Sequence, residues 1–252
     1  MNGAPPESPR FKDHFSGHAC DYSAYRPTYP DALFEFLAAC CAARRHAWDC
    51  ATGSGQTALA LTAFFDRVTA TDASAEQVAA ASRHPRIDYR VTPAESSGLD
   101  DRSVDLVTVS QALHWFDIGR FFEEARRVLA AGGVLAAWSY DLCRVEPSCD
   151  AVIGEIYEAL DAFWPPERRL VEARYAGIEM PLAEIAAPAF DMTHPWTVDD
   201  ILGYMRTWSA YRRCLKETGV DEVAKREVRL RAAWGGGTRD VRWPLALRIG
   251  RA

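Results

Sequence analysis

The sequence predicts an α/β fold, a mostly parallel sheet with helices packed on both faces. Three observations carry that prediction. Strand-like and helix-like hydrophobic patterns alternate from residue 47 to residue 138, as in a sheet built from βαβ units. Two of the strand segments, 104–110 and 134–138, are nearly continuous apolar runs, as expected of strands covered on both faces. A turn of small residues, Ala51-Thr52-Gly53-Ser54-Gly55, separates the first strand from the helix that follows it.

Taken in order, residues 1–9 read as a tail, and Pro30 opens a helix over 31–45 with Leu33, Phe34, Leu37, Ala38 and Cys41 as its apolar positions. A strand over 47–50 precedes the small-residue turn, and a helix over 57–65 follows. Strand 67–71 ends at Asp72, helix 74–82 comes next, and strand 87–91 follows. After strand 104–110, an amphipathic helix over 117–129 stops at Gly132-Gly133 and feeds strand 134–138. Beyond Tyr140 the alternation ends. A helix over 149–164 is stopped by Pro165-Pro166, Pro181 and Pro188 punctuate a loop-rich stretch, and 190–194 is a strand candidate. Helices over 198–208 and 221–234 precede a closing strand over 241–249, where Pro244 marks an edge position or a bulge. Seven strands result. The expected organisation is a tail and lid segment over 1–30, a core over 31–140, a helical cap over 141–234 and a closing strand within 235–252.

Composition narrows the function classes. The 252 residues carry 48% hydrophobic and 25% charged side chains, an ordinary balance for a soluble globular protein. A net charge of −6 opposes nonspecific nucleic-acid binding, which draws on clustered Lys and Arg. Seven cysteines without paired-ligand spacing argue against a disulfide framework or a metal site. The polar, Pro-rich first ten residues lack the apolar core of a signal peptide, and no apolar run approaches the ~18 residues of a membrane span. The expectation is a cytoplasmic protein with no metal, membrane or nucleic-acid partner and an unassigned oligomeric state.

The chemistry is concentrated at the turn. Small residues let the backbone bend sharply and let a ligand approach the peptide groups, and the following helix presents free N–H groups. Asp72, at the tip of the next strand, is placed to accept hydrogen bonds from two ribose hydroxyls. Together they describe a site for an adenosine-bearing cofactor. The Gly-x-Gly-x-x-Gly spacing of dinucleotide sites is missing.

Asp49-Cys50-Ala51-Thr52-Gly53-Ser54-Gly55 resembles the first motif of the class I S-adenosylmethionine methyltransferases, with Ala51 replacing the first glycine. Val68-Thr69-Ala70-Thr71-Asp72-Ala73-Ser74, Thr92-Pro93-Ala94-Glu95, the segment from Val104 to Phe116, and Arg127 to Leu135 resemble the later motifs. Gln111-Ala112-Leu113-His114-Trp115-Phe116-Asp117 with Ala136-Ala137-Trp138-Ser139-Tyr140 is similar to a subgroup that includes trans-aconitate and related small-carboxylate methyltransferases. Tyr22 to Pro30 and Arg206 to Tyr211 fit the same subgroup.

The resemblance implies a Rossmann-like sheet, S-adenosylmethionine as cofactor, S-adenosylhomocysteine as product and a small-molecule acceptor. It implies that Gly53, Ser54, Gly55 and Gln56 cradle the cofactor's methionine end and that Asp72, Ala73 and Ser74 lie at the ribose. Ala94 and Glu95 then lie near the adenine, and Ser110, Gln111 and Ala112 beneath the sulfonium. Tyr22, Tyr25 and Arg26 form an aromatic and cationic cluster for the cofactor or the acceptor, or else anchor the lid. His114 either acts as a base on the acceptor, orients it, or is simply hydrogen-bonded in its loop. Trp115, Trp138 and Tyr140 are either walls of the acceptor pocket or core. An organic-acid carboxylate is the leading acceptor. A phenol, amine or carbon acceptor, or a module that binds the cofactor without turnover, are the alternatives.

Overall fold

The computed structural model describes residues 27–252. Tyr22, Tyr25 and Arg26 lie outside the described residues. The parallel half of the fold runs α1 (Asp31–Cys40), β1 (His46–Cys50), α2 (Gln56–Leu61), β2 (Arg67–Asp72), α3 (Ala75–Ala80), β3 (Ile87–Val91), β4 (Val104–Ser110), α4 (Ile118–Val128) and β5 (Leu129–Tyr140). Helix α1 starts on Pro30 as expected but stops at Cys40. The carbonyls of Arg44 and Arg45 already receive the amides of Asp66 and Arg67, so that stretch belongs to the edge of the sheet. Asp117 caps α4 by accepting the Arg120 amide.

Between β5 and the last strand lie α5 (Pro147–Ala159), α6 (Arg168–Glu172), β6 (Ala183–Glu184), β7 (Asp191–Trp196), α7 (Val198–Arg206), α8 (Ser209–Thr218) and α9 (Ala224–Trp234), followed by β8 (Arg239–Arg251). A capping box between Thr197 and Asp200 fixes the start of α7. The single helix expected over 198–208 ends two residues earlier, and α8, which no expectation covered, starts at once on its far side.

The strands form one sheet in the order β3-β2-β1-β4-β5-β8-β6, with β7 pairing to β8 off that path. The sheet therefore has eight strands rather than the expected seven; β6 is two residues long, too short to leave a pattern in sequence. The five strands from β3 to β5 are mutually parallel, whereas β8 runs antiparallel to β5, β6 and β7. Pro244 sits where β8 changes partner. Residues up to Pro244 pair with β7, and those from Leu245 pair with β5.

Apolar side chains cover both faces. One cluster joins α1 and α2 to the sheet and to α5, α7, α8 and α9 around Phe34, Leu37, Trp138, Ile153, Met205 and Trp243. The other packs α4 and the segment around Tyr175 against Trp48, Val107 and Leu135. Because β1 and β4 are neighbours while their following helices lie on opposite faces, a crevice opens at the carboxyl ends of these two strands, the usual ligand position in an open α/β sheet. No helix among the described residues is long and apolar enough to cross a membrane.

Candidate active site

The crevice is floored by the turn after β1. Three of its residues have a left-handed backbone, Ala51 at φ 55°, Gly53 at φ 55° and Gly55 at φ 85°. Ala51 thus holds a conformation that costs an alanine about 1–2 kcal/mol, and the methyl group that replaces the expected glycine is accommodated with strain. The Thr52 amide donates to Thr71 O at 2.9 Å, tying the turn to β2. Asp72 completes the tie. One carboxylate oxygen accepts the Gly53 amide at 2.9 Å and the other accepts the Ser74 amide at 2.9 Å. Gly53 and Asp72, expected to share one pocket, are in direct contact. Ser74 also caps α3 toward the Gln77 amide, and Ala73 is half-buried between them. Ser54 is half-buried at the tip of the turn, and Gln56 is exposed at the start of α2.

Behind the turn, Asp49 is wholly buried and accepts from Thr52 Oγ1 at 2.6 Å and Thr108 Oγ1 at 2.7 Å. Burial pushes its carboxyl up to about 6, with the Asp72 charge adding to the rise and the two threonine hydroxyls opposing it. An unfolded aspartate titrates near 4. The folded state therefore holds the proton more tightly, and stability that is fully present below pH ~4 is lost as pH rises through ~6. Asp49 alone is expected to lower folding stability by about 2 kcal/mol between pH 4 and pH 7. Urea unfolding of Asp49→Asn should remove that dependence; parallel pH profiles for the variant and the parent protein would contradict it.

The far wall comes from the end of β4. Ser110 Oγ accepts from Thr57 Oγ1 of α2 at 3.2 Å, and buried Ala112 follows. Gln111 has φ 54° and uses its side-chain amide on the backbone of Tyr140, accepting its N–H at 2.8 Å and donating to its carbonyl at 2.9 Å. Gln111 and Tyr140 therefore staple β4 to β5, and the Gln111 amide is committed to that task. Glu95 accepts the Asp117 amide at 2.9 Å, which fixes the start of α4, beside buried Ala94. Trp138 has no exposed surface and packs edge-on to Tyr29 at 5.4 Å and Phe34 at 6.4 Å. Of its two expected roles, core packing is the one its burial fits. Trp115 is half-buried against the His114 ring at 4.6 Å.

His114 is buried, and its Nδ1 lies 2.9 Å from the Tyr175 hydroxyl. Burial first, and the Arg168 charge second, lower its pKa to about 3. The imidazole is neutral at physiological pH and far from the value that suits a general base. Tyr175 follows Arg174 in a strained turn, both with left-handed backbone at φ 57° and φ 54°. Arg248 holds that turn by donating to the carbonyls of Tyr175 and Ile178.

Two features of this end of the sheet went unread in the sequence. Tyr89 of β3 lies across the turn, so that a β-carbon on Gly55 would sit 2.3 Å from its hydroxyl oxygen. Arg168 opens α6, which packs on the turn Leu113–Trp115. Its guanidinium pairs with Asp141, donates from Nε to Tyr157 Oη at 3.1 Å and stacks 5.0 Å from the Trp164 ring centroid. The paired Arg168-Arg169 after Pro165-Pro166 was the available signal. Among the described residues, no group of three or more His, Cys, Asp or Glu side chains is arranged to hold a metal ion.

A methyltransferase-domain family model matches residues 48–137. A Dictyostelium discoideum protein assigned as a methyltransferase is 32% identical over 238 residues, covering 92% of this chain and 90% of its own. A Saccharomyces cerevisiae protein assigned as an S-adenosylmethionine-dependent methyltransferase is 28% identical over 128 residues, 47% of this chain and 44% of its own. Among solved structures, one from Anaeromyxobacter dehalogenans assigned as a type II methyltransferase superposes with a TM-score of 0.85 at 46% identity. It covers 90% of this chain and 97% of its own.

Proposed function

The chain belongs to the class I S-adenosylmethionine-dependent methyltransferases, and from that premise we propose that it methylates a carboxylate of a small organic acid. The observation that carries the cofactor site is the bridge made by Asp72, whose two oxygens hold the Gly53 and Ser74 amides at the carboxyl ends of β1 and β2. A carboxylate oxygen has two lone pairs, so it can accept a ribose hydroxyl as well as a backbone amide. The left-handed turn over Ala51, Gly53 and Gly55 leaves peptide groups open to close approach, which fits the methionine end of the cofactor. When bound, S-adenosylmethionine supplies a methyl group on a positively charged sulfur and leaves as S-adenosylhomocysteine.

The protein's part is then alignment and exclusion of water. A carboxylate is already ionised at neutral pH and needs no base. The low basicity of buried His114 supports that choice over a phenol or an amine, whose proton a base must accept. In this reading His114, fixed by Tyr175, orients the acceptor oxygen, and half-buried Trp115 lines its path. The segment 141–234 is the cap that selects the acceptor. The resemblance of the segments around His114 and Trp138 to trans-aconitate and related small-carboxylate methyltransferases supports the same acceptor class.

The test is S-adenosylhomocysteine release from S-adenosylmethionine over a panel of small mono-, di- and tricarboxylic acids, with phenols and amines alongside. Release with an acid, accompanied by an alkali-labile ester, is expected. Release confined to phenols or amines contradicts the acceptor class. Cofactor binding with no release for any compound points instead to a catalytically silent binding module.

A further inference from the structure

We infer that Arg168 and the indole N–H of Trp164 form the binding site for a carboxylate of the acceptor. The inference rests on the methyl-transfer reading above and adds the side chains that recognise the substrate. Arg168 is a charged side chain largely withdrawn from water, with 16% of its side-chain surface exposed. Its guanidinium packs against a pair of touching aromatic rings, 5.0 Å from the Trp164 centroid and 5.6 Å from the Tyr157 centroid, with the two centroids 5.1 Å apart. Such stacking fixes the plane of the guanidinium and leaves its edges as the only polar surface.

Those edges are only partly used. Nη2 goes to Asp141 and Nε to Tyr157 Oη, and Tyr157 in turn donates to Glu172 at 2.5 Å. Nη1 has no hydrogen-bond partner among the described residues. The indole nitrogen of Trp164, on the ring that the guanidinium packs against, is buried and also lacks a partner among the described residues. Native structures seldom leave buried donors unpaired, and such groups commonly mark a ligand position. Both open groups are donors. The ligand they call for is an acceptor, and a planar carboxylate matches the guanidinium edge.

The location fits an acceptor site. Asp141 directly follows the last residue of β5, α6 packs on the turn that carries His114, and the Arg168 charge acts on the His114 ring. Asp141 is half-exposed and neutralises the guanidinium from one side. The bound carboxylate takes the remaining edge, so Asp141 opposes the incoming charge as well as holding Arg168 in place.

The experiment compares kcat and KM of the parent protein, Arg168→Met, Arg168→Lys and Asp141→Asn. The probes are succinate, fumarate, itaconate, citrate and benzoate, and S-adenosylhomocysteine affinity is measured in parallel. Arg168→Met should raise KM for the acid used by at least a hundredfold, with kcat changed less than tenfold and S-adenosylhomocysteine affinity within twofold. Arg168→Lys, which keeps the charge but loses the planar fork, should raise KM about tenfold, and Asp141→Asn should leave KM equal or lower. If Arg168→Met loses cofactor affinity through misfolding, the KM of Arg168→Lys decides. An unchanged KM in the variant so chosen overturns the site, as does an enzyme that binds S-adenosylhomocysteine but uses none of these acids. Failure of the parent protein to bind S-adenosylhomocysteine would instead remove the methyl-transfer reading itself.

Discussion

Asp72→Ala is expected to weaken S-adenosylhomocysteine binding roughly a hundredfold, about 3 kcal/mol. The size follows from two losses that act together. Charge-assisted hydrogen bonds to the ribose are worth about 1.5–3 kcal/mol, and removal of the carboxylate also frees the Gly53 amide, which anchors the turn to β2 at 2.9 Å. Asp72→Asn should lose nearly as much. The two oxygens face two N–H donors, Gly53 and Ser74. An amide can accept from only one of them and turns its own N–H toward the other. Calorimetric titration checks both variants. An asparagine variant with parental affinity would show that the bridge does not organise the site.

Gly55→Val is expected to be the most destabilising single change in the turn, by roughly 3 kcal/mol. At φ 85° a side chain costs about 1–2 kcal/mol, more when branched at Cβ. The new β-carbon would also lie 2.3 Å from Tyr89 Oη and 3.2 Å from its Cζ. That hydroxyl is held by donation to Ser82 O at 3.0 Å, so the rigid ring must move and break the bond, an overpacking cost of about 1–3 kcal/mol. Adding Tyr89→Ala should recover the overpacking part and leave the backbone part. Urea unfolding of the single and double variants separates them; a single variant within 0.5 kcal/mol of its parent would contradict the account.

The parallel half of the fold could be read because its signals are local. Strands β3 and β4 have the bounds expected for them, since the apolar–charged alternation of β3 and the largely apolar run of β4 are both local signals. Ala51 stands where the resembled motif has its first glycine, and its φ of 55° shows why a glycine would be easier there. What escaped depends on distant packing. Helix α8 begins one residue past Trp208, whose burial against Trp164 and Tyr204 joins two helices where the sequence suggested a stop. Gln111 reads in sequence as a pocket residue, yet its amide is claimed by Tyr140, 29 positions away. The Arg168 cluster gathers Asp141, Tyr157 and Trp164 from separate turns, and no spacing rule links them.

The central claim is that the bent loop bound to Asp72 recognises an adenosyl sulfur compound. The most direct measurement is a calorimetric titration of the unaltered protein with S-adenosylhomocysteine, and separately with NAD. Saturable binding of one S-adenosylhomocysteine per chain, with no NAD binding at the same concentrations, is the predicted result. Absent S-adenosylhomocysteine binding, or tighter binding of NAD, would contradict it.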